Sequence, residues 1–162
     1  MLCLLAACQP ALNWRQVRPA QAQAQALFPC KPDVEQRPAR AGEGGMGLAH
    51  CEAAGGRFAL SWAEVPDARQ AGAALAAMPR ALAGKLGQAL PEAQSLQVPG
   101  MTPMPEAGQY RLAGAAGVTR VAVFAHGGRV YQALMAAPKD DPAAWDSFAG
   151  SLRVGGAVDA AR

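Results

Sequence analysis

Val118-Thr119-Arg120-Val121-Ala122-Val123-Phe124-Ala125-His126, then Gly127-Gly128, then Arg129-Val130-Tyr131-Gln132-Ala133-Leu134-Met135-Ala136-Ala137 before Pro138 is the stretch that decides the fold. Two β-prone runs separated by two glycines form the strongest short-range hairpin signal, because a type I′ turn needs positive φ at both central positions. The hairpin is expected in the middle of an antiparallel sheet, and with a one-residue offset Phe124 faces Tyr131 across it, a favourable cross-strand pair.

On the C-terminal side, Pro138 ends the hairpin. Asp141 caps a helix with Pro142 at its first position, a favoured arrangement. Trp145 and Phe148 lie three apart on one face of that helix, Gly150 ends it, and Ser151-Leu152-Arg153-Val154 forms a last short strand. On the N-terminal side, Gln109–Ala113 reads as a strand and Gly114–Gly117 as a turn. Residues 88–108 are Pro-rich, either a long surface loop or a loop enclosing one short strand around Gln97–Met101. Asp67 opens the main helix, where Ala71, Leu75, Met78, Leu82 and Leu86 share a face and Gly87 gives the stop. Pro79 in its middle kinks it near Met78 or divides it into two short helices. Met46–Val65 reads as a second hairpin about Ala54-Gly55-Gly56, with Phe58, Leu60 and Trp62 on one face. Asp33–Gly45 is polar and reads as a loop or irregular crossing, and Leu27–Pro32 as a short edge strand stopped by prolines.

The 162 residues make about one domain, and a composition 51% hydrophobic and 17% charged is that of a globular chain. The net charge of +3 is spread without runs of Lys or Arg, which argues against nucleic-acid binding. No stretch reaches about 18 consecutive apolar residues, so no transmembrane helix is expected.

The four cysteines carry the cellular context. Leu5-Ala6-Ala7-Cys8 matches the bacterial lipobox, although no positive n-region precedes it and the apolar run is short, which places the true start upstream if the match holds. Cys8 is then the lipidated residue, anchoring the protein to a membrane without spanning it. Gln9 follows it rather than Asp, which favours the outer membrane, facing the periplasm. In that oxidising compartment Cys30 and Cys51 are expected to pair. Such a bridge, closing a loop of about 20 residues, stabilises by roughly 3 kcal/mol in the chain-entropy model. Two buried free thiols in a cytosolic protein are the alternative, and metal binding has only His50 nearby to support it. The expected organisation is a residual lipoprotein signal peptide at 1–7, a tether at 8–25, one α/β sandwich domain at 26–154 and a disordered tail at 155–162. Within the tether, Trp14 is costly to expose, so its segment is expected to dock on the domain.

The order of elements resembles the PsbP-like (DcrB-like) α/β sandwich. The likeness is carried by Phe28-Pro29-Cys30-Lys31-Pro32, Arg129-Val130-Tyr131-Gln132, Trp145-Asp146-Ser147-Phe148 and Ser151-Leu152-Arg153-Val154, with the Asp67–Gly87 helix between them. Many relatives have glycine where this chain has Cys30. The resemblance implies an α+β fold: an antiparallel sheet of about five to seven strands with two packed helices. Members of this fold are found in small exported lipoproteins and an accessory photosystem subunit, so it implies no particular activity.

Residues suited to catalysis are scarce. His126 reads as a solvated residue at the hairpin tip beside Arg129. His50 and Cys51 are strand neighbours and so face apart. Ser61, Ser95, Ser147 and Ser151 lack a nucleophile-elbow context. Asp140-Asp141 is explained by helix capping, and Gly42-Glu43-Gly44-Gly45 lacks the lysine of a phosphate loop. No catalytic, cofactor or metal site is therefore expected. Two functions remain: a non-enzymatic envelope lipoprotein that binds or supports another envelope protein, and a module binding a small apolar ligand in a groove between sheet and helix.

Overall fold

Five consecutive residues, Val121 to Ala125, have no solvent-accessible surface. A strand apolar on both faces must be covered on both, and this one lies inside the main sheet. It belongs to β7 (Gly117–His126), which pairs antiparallel with β8 (Arg129–Ala137) so that Phe124 faces Tyr131 and His126 faces Arg129. The expected hairpin is present, and its two rings stack 5.2 Å apart. Its turn differs in type. Gly127 has φ +57° while Gly128 stays outside the left-handed region, the pattern of a type II′ turn, which requires positive φ only at its first central residue.

The structure, a computed structural model, describes residues 12–159. The second hairpin joins β4 (Met46–Ala53) to β5 (Gly56–Glu64), and here the I′ pattern does occur, with Ala54 at φ +51° and Gly55 at +76°. β5 pairs with β8, Phe58 opposite Met135 and Trp62 opposite Tyr131. With β3 (Asp33–Arg37) and β6 (Gly108–Gly114) at the edges, the six strands run in the order β3-β4-β5-β8-β7-β6, all antiparallel. The class is α+β, as expected.

Three expectations about the N-terminal third are corrected. Asp33–Gly45 is not simply a loop, since its first five residues form β3. All five of those residues are exposed, so no apolar alternation marks them as a strand. The stretch read as a tether, 8–25, contributes β1 (Arg15–Val17) and the start of β2 (Ala24–Phe28), while residues 8–11 lie outside the described residues. Its Gln-Ala repeat is a period-2 pattern built on the smallest apolar side chain: Ala22, Ala24, Ala26 and Phe28 are all buried. β2 is also not an edge, because it is the middle strand of a second sheet, β1-β2-β9, completed by β9 (Arg153–Val154). Trp14 docks as expected, edge-on to Phe58 with centroids 6.1 Å apart. In the segment read as a disordered tail, Gly156–Asp159 forms a short helical turn, and 160–162 lie outside the described residues.

The main sheet separates two cores. On one face Phe58, Leu60, Trp62, Phe124 and Tyr131 meet the small sheet and the C-terminal helix Pro142–Gly150, here α2. Phe148 of α2 lies edge-on to Phe28 at 5.1 Å and to Phe58 at 5.6 Å, joining the helix and both sheets. On the other face Val121, Val123, Ala125 and Val130 pack beneath Ala71 and Leu75 of α1 (Ala71–Lys85). Asp67 caps a 3₁₀ turn, Ala68–Gln70, that leads into α1. Of the two expectations for Pro79, a kink near Met78 or two short helices, the division does not occur: α1 runs unbroken through Pro79, which is itself buried. The segment from Gln88 to Ala107 is a loop without a strand, joined to β6 by a bridge between Gln94 and Gln109.

Truncating Phe148 removes the ring common to these contacts. Phe148→Ala is expected to lower the unfolding free energy by about 3–5 kcal/mol, measured by urea denaturation.

Candidate functional site

The residues singled out in the sequence do not converge. Cys8 lies outside the described residues. Cys30 and Cys51 are bonded to each other, with Cα atoms 6.0 Å apart, which removes both the free-thiol and metal alternatives and ties the end of β2 to β4. His50 pairs with Ala59 and Cys51 with Phe58, so the two point to opposite faces. Cys51 enters the core, whereas His50 Nε2 lies 3.6 Å from Glu35 Oε1 at the sheet edge. Among the described residues no group of three or more His, Cys, Asp or Glu could hold a metal ion.

His126 is not a freely solvated tip residue. Its Nδ1 lies 2.7 Å from the Gly100 carbonyl, which can only accept, so Nδ1 carries the proton. The imidazole packs directly on Gly155, where a side chain would collide with it. Thr102 N donates to Ala125 O and Gly127 N to Thr102 Oγ1, so the hairpin tip holds the Pro-rich loop at three points. The neighbouring Arg129 is largely buried and donates to Glu64 Oε1 at 2.7 Å, while Glu64 Oε2 accepts from Gly45 N. The Gly45 N–H, and after it Arg129, hold the Glu64 carboxyl below its ordinary pKa. The hydroxyls of Ser61, Ser147 and Ser151 all bond main-chain groups.

Asp140 and Asp141 divide the work that capping was expected to explain. Asp141 accepts from Ala144 N at 2.9 Å and caps α2. Asp140 instead receives Arg120 at 2.7 Å and Arg111 at 2.8 Å, two like charges that face each other across β6 and β7. The Arg120 hydrogen bond, with Arg111 adding to it, holds the Asp140 carboxyl far below the usual carboxylate range.

The feature most suited to binding lies elsewhere, on the α1 face of the sheet. One helix is about 10–12 Å across and strands are about 4.8 Å apart, so α1 covers roughly two strands. It sits on β7 and β8, and the same face of β4 and β5 beside it is left open as a groove of about 570 Å³. Met46, Leu48, Ala63 and Val130 form its apolar floor and Met78 of α1 its wall. Ser61 and Gln132, a cross-strand pair, supply polar groups in the middle, and Glu35 and Arg37 of β3 line the outer rim. Its volume is within the range of about 300–1,000 Å³ usual for small-molecule sites.

No protein-family model, curated protein or solved structure matches the chain. The site is therefore described by its own geometry. Thioethers at Met46 and Met78 give its walls adaptable, polarisable surfaces, and Met46 is 43% exposed, which leaves room for an occupant. The groove lies beside the Asp67–Gly87 helix, whereas the expected ligand groove lay between that helix and the sheet. The large apolar residues of β5, Phe58, Leu60 and Trp62, mark the opposite face, and the intervening positions that line the groove carry a weaker apolar pattern. The signal available was Met46-x-Leu48 facing Ser61-x-Ala63 on neighbouring strands.

The Asp140 cluster gives a pH test. A carboxyl whose pKa falls on folding adds stability that is fully present above its unfolded value, about 3.9, and is lost as pH drops towards the folded value. Asp140→Asn is expected to be less stable than the unsubstituted protein at pH 7, with the gap narrowing below about pH 4, read by urea denaturation across a pH series.

Proposed function

We propose that the chain is a non-enzymatic lipoprotein of the bacterial cell envelope, anchored through Cys8 and facing the periplasm, and that it binds an unbranched apolar chain in the groove between α1 and β4–β5. The groove carries this reading. Its floor and wall are apolar, its two inner polar groups already face each other, and its charges are confined to the rim. An acyl chain needs apolar contact along its length and polar contact only at one end, which matches this distribution. The Cys30–Cys51 bridge supports an oxidising compartment. The non-enzymatic part is supported by the structural engagement of His126, Arg129 and Asp140, each of which holds segments of the fold together.

Native mass spectrometry of the protein extracted from its own membrane tests both halves together. The expected spectrum shows an acyl modification on Cys8 and a separate, non-covalent apolar ligand. Met78→Glu places a charge in the groove wall and is expected to lose the ligand while keeping the acyl group. Arg80→Glu, on an exposed position of the same helix, is expected to keep both.

A further inference from the structure

The two edges of the main sheet are treated differently. β6 is joined to the loop before it by the Gln94–Gln109 bridge, and the Gln109 side chain reinforces this by donating to Ser95 O. Among the described residues β3 pairs only with β4, and every second N–H and C=O along its other side has no strand partner there. Such edges are normally protected by charges that repel an approaching strand. Here the charges on the groove face of β3 are of both signs, Glu35 and Arg37, placed two residues apart. Their ion pairs within the chain are long and solvent-exposed: His50 stands 3.6 Å from Glu35, and Glu43 stands 3.9 Å from Arg37.

We infer that β3 is an interface for a second copy of this chain, paired antiparallel about a twofold axis that passes between Gln36 and Gln36 of the copy. Opposed residues on antiparallel strands must share a face, so only registers that match alternate positions are allowed. Centring on Glu35 would pair Asp33, which shares this face, with Arg37 of the copy but would set two glutamates against each other on the axis. Centring on Gln36 places Glu35 opposite Arg37 of the second copy and Arg37 opposite its Glu35, giving two opposite-charge pairs, while the Gln36 side chain on the other face donates to Ala20 O of its own chain. Val34, 44% exposed in the single chain, then faces Pro38 of the copy. Pro32 and Pro38 bound the ladder at its two ends, which keeps the contact short and the register defined. The axis is perpendicular to the sheet, so the groove faces of both copies lie on the same side of one twelve-stranded sheet. Since Glu35 and Arg37 line the groove rim, the two grooves then adjoin across the axis.

The test uses the full chain and needs no ligand. In Gln36→Cys the two thiols lie on the axis, with Cβ atoms about 4.5–5.5 Å apart, so mild oxidation is expected to give a covalent dimer on a non-reducing gel. Glu35→Cys, which would face arginine, is expected to give none beyond the unsubstituted control. Sedimentation over a concentration series is expected to show a dimer that weakens with added salt, and that is diminished by Glu35→Arg or Arg37→Glu alone. The double exchange Glu35→Arg with Arg37→Glu restores the opposite-charge pairs and is expected to restore the dimer. A monomer at all concentrations, a dimer indifferent to the single reversals, or cross-linking at position 35 in preference to 36 would overturn the inference.

Discussion

The whole structure follows from the need to cover β7 on both faces. Val121 to Ala125 is apolar without alternation, so a layer is required above and below it. The two layers are unequal. One face is closed by a three-stranded sheet and α2, whose Phe148 reaches across to Phe58. The other is closed by a single helix, which is too narrow for six strands. The uncovered width of β4 and β5 becomes the groove, and β3 becomes a free edge beside it. The candidate binding surface is thus the remainder left by the core.

Polar contacts hold the layers in register around that remainder. The Cys30–Cys51 bridge joins the small sheet to β4, Asp140 joins the start of α2 to β6 and β7, and the Glu64–Arg129 pair draws in the loop at Gly45. Gly47 is required where Trp62 crosses it, because a side chain there would collide with the indole ring. The disulfide, the Glu64 contacts and the Gly47–Trp62 crossing engage β4 and β5, so these limit how the two strands move relative to the groove wall.

Both hairpins, the α2 cap at Asp141, the aromatic pair Phe124–Tyr131, the docking of Trp14 and the α+β class were legible because each is written in local chemistry: turn glycines, capping carboxylates, alternating large apolar residues. What was hidden has physical reasons. β2 alternates alanine with glutamine, so its inward face has the weakest apolar signature a strand can have. β3 is exposed along its whole length and carries no alternation. His126 read as solvated because its contacts come from Gly100 and Gly155, residues whose proximity only the tertiary fold creates. The floor of the groove has a local pattern, Met46-x-Leu48 opposite Ser61-x-Ala63, but its wall has none, since α1's position over β7 and β8 is set by packing.

Methionine methyl resonances test the central claim most directly, because the chain carries these probes in distinct environments. Met46 and Met78 line the groove, Met135 is buried in the opposite core, and Met101 and Met104 belong to the Pro-rich loop. Titrating the full chain with dodecanoate is predicted to shift the Met46 and Met78 methyl signals together, saturably, leaving Met135 and Met101 in place. Shifts centred on Met135 or Met101, or no saturable shift at Met46 and Met78, would contradict the account.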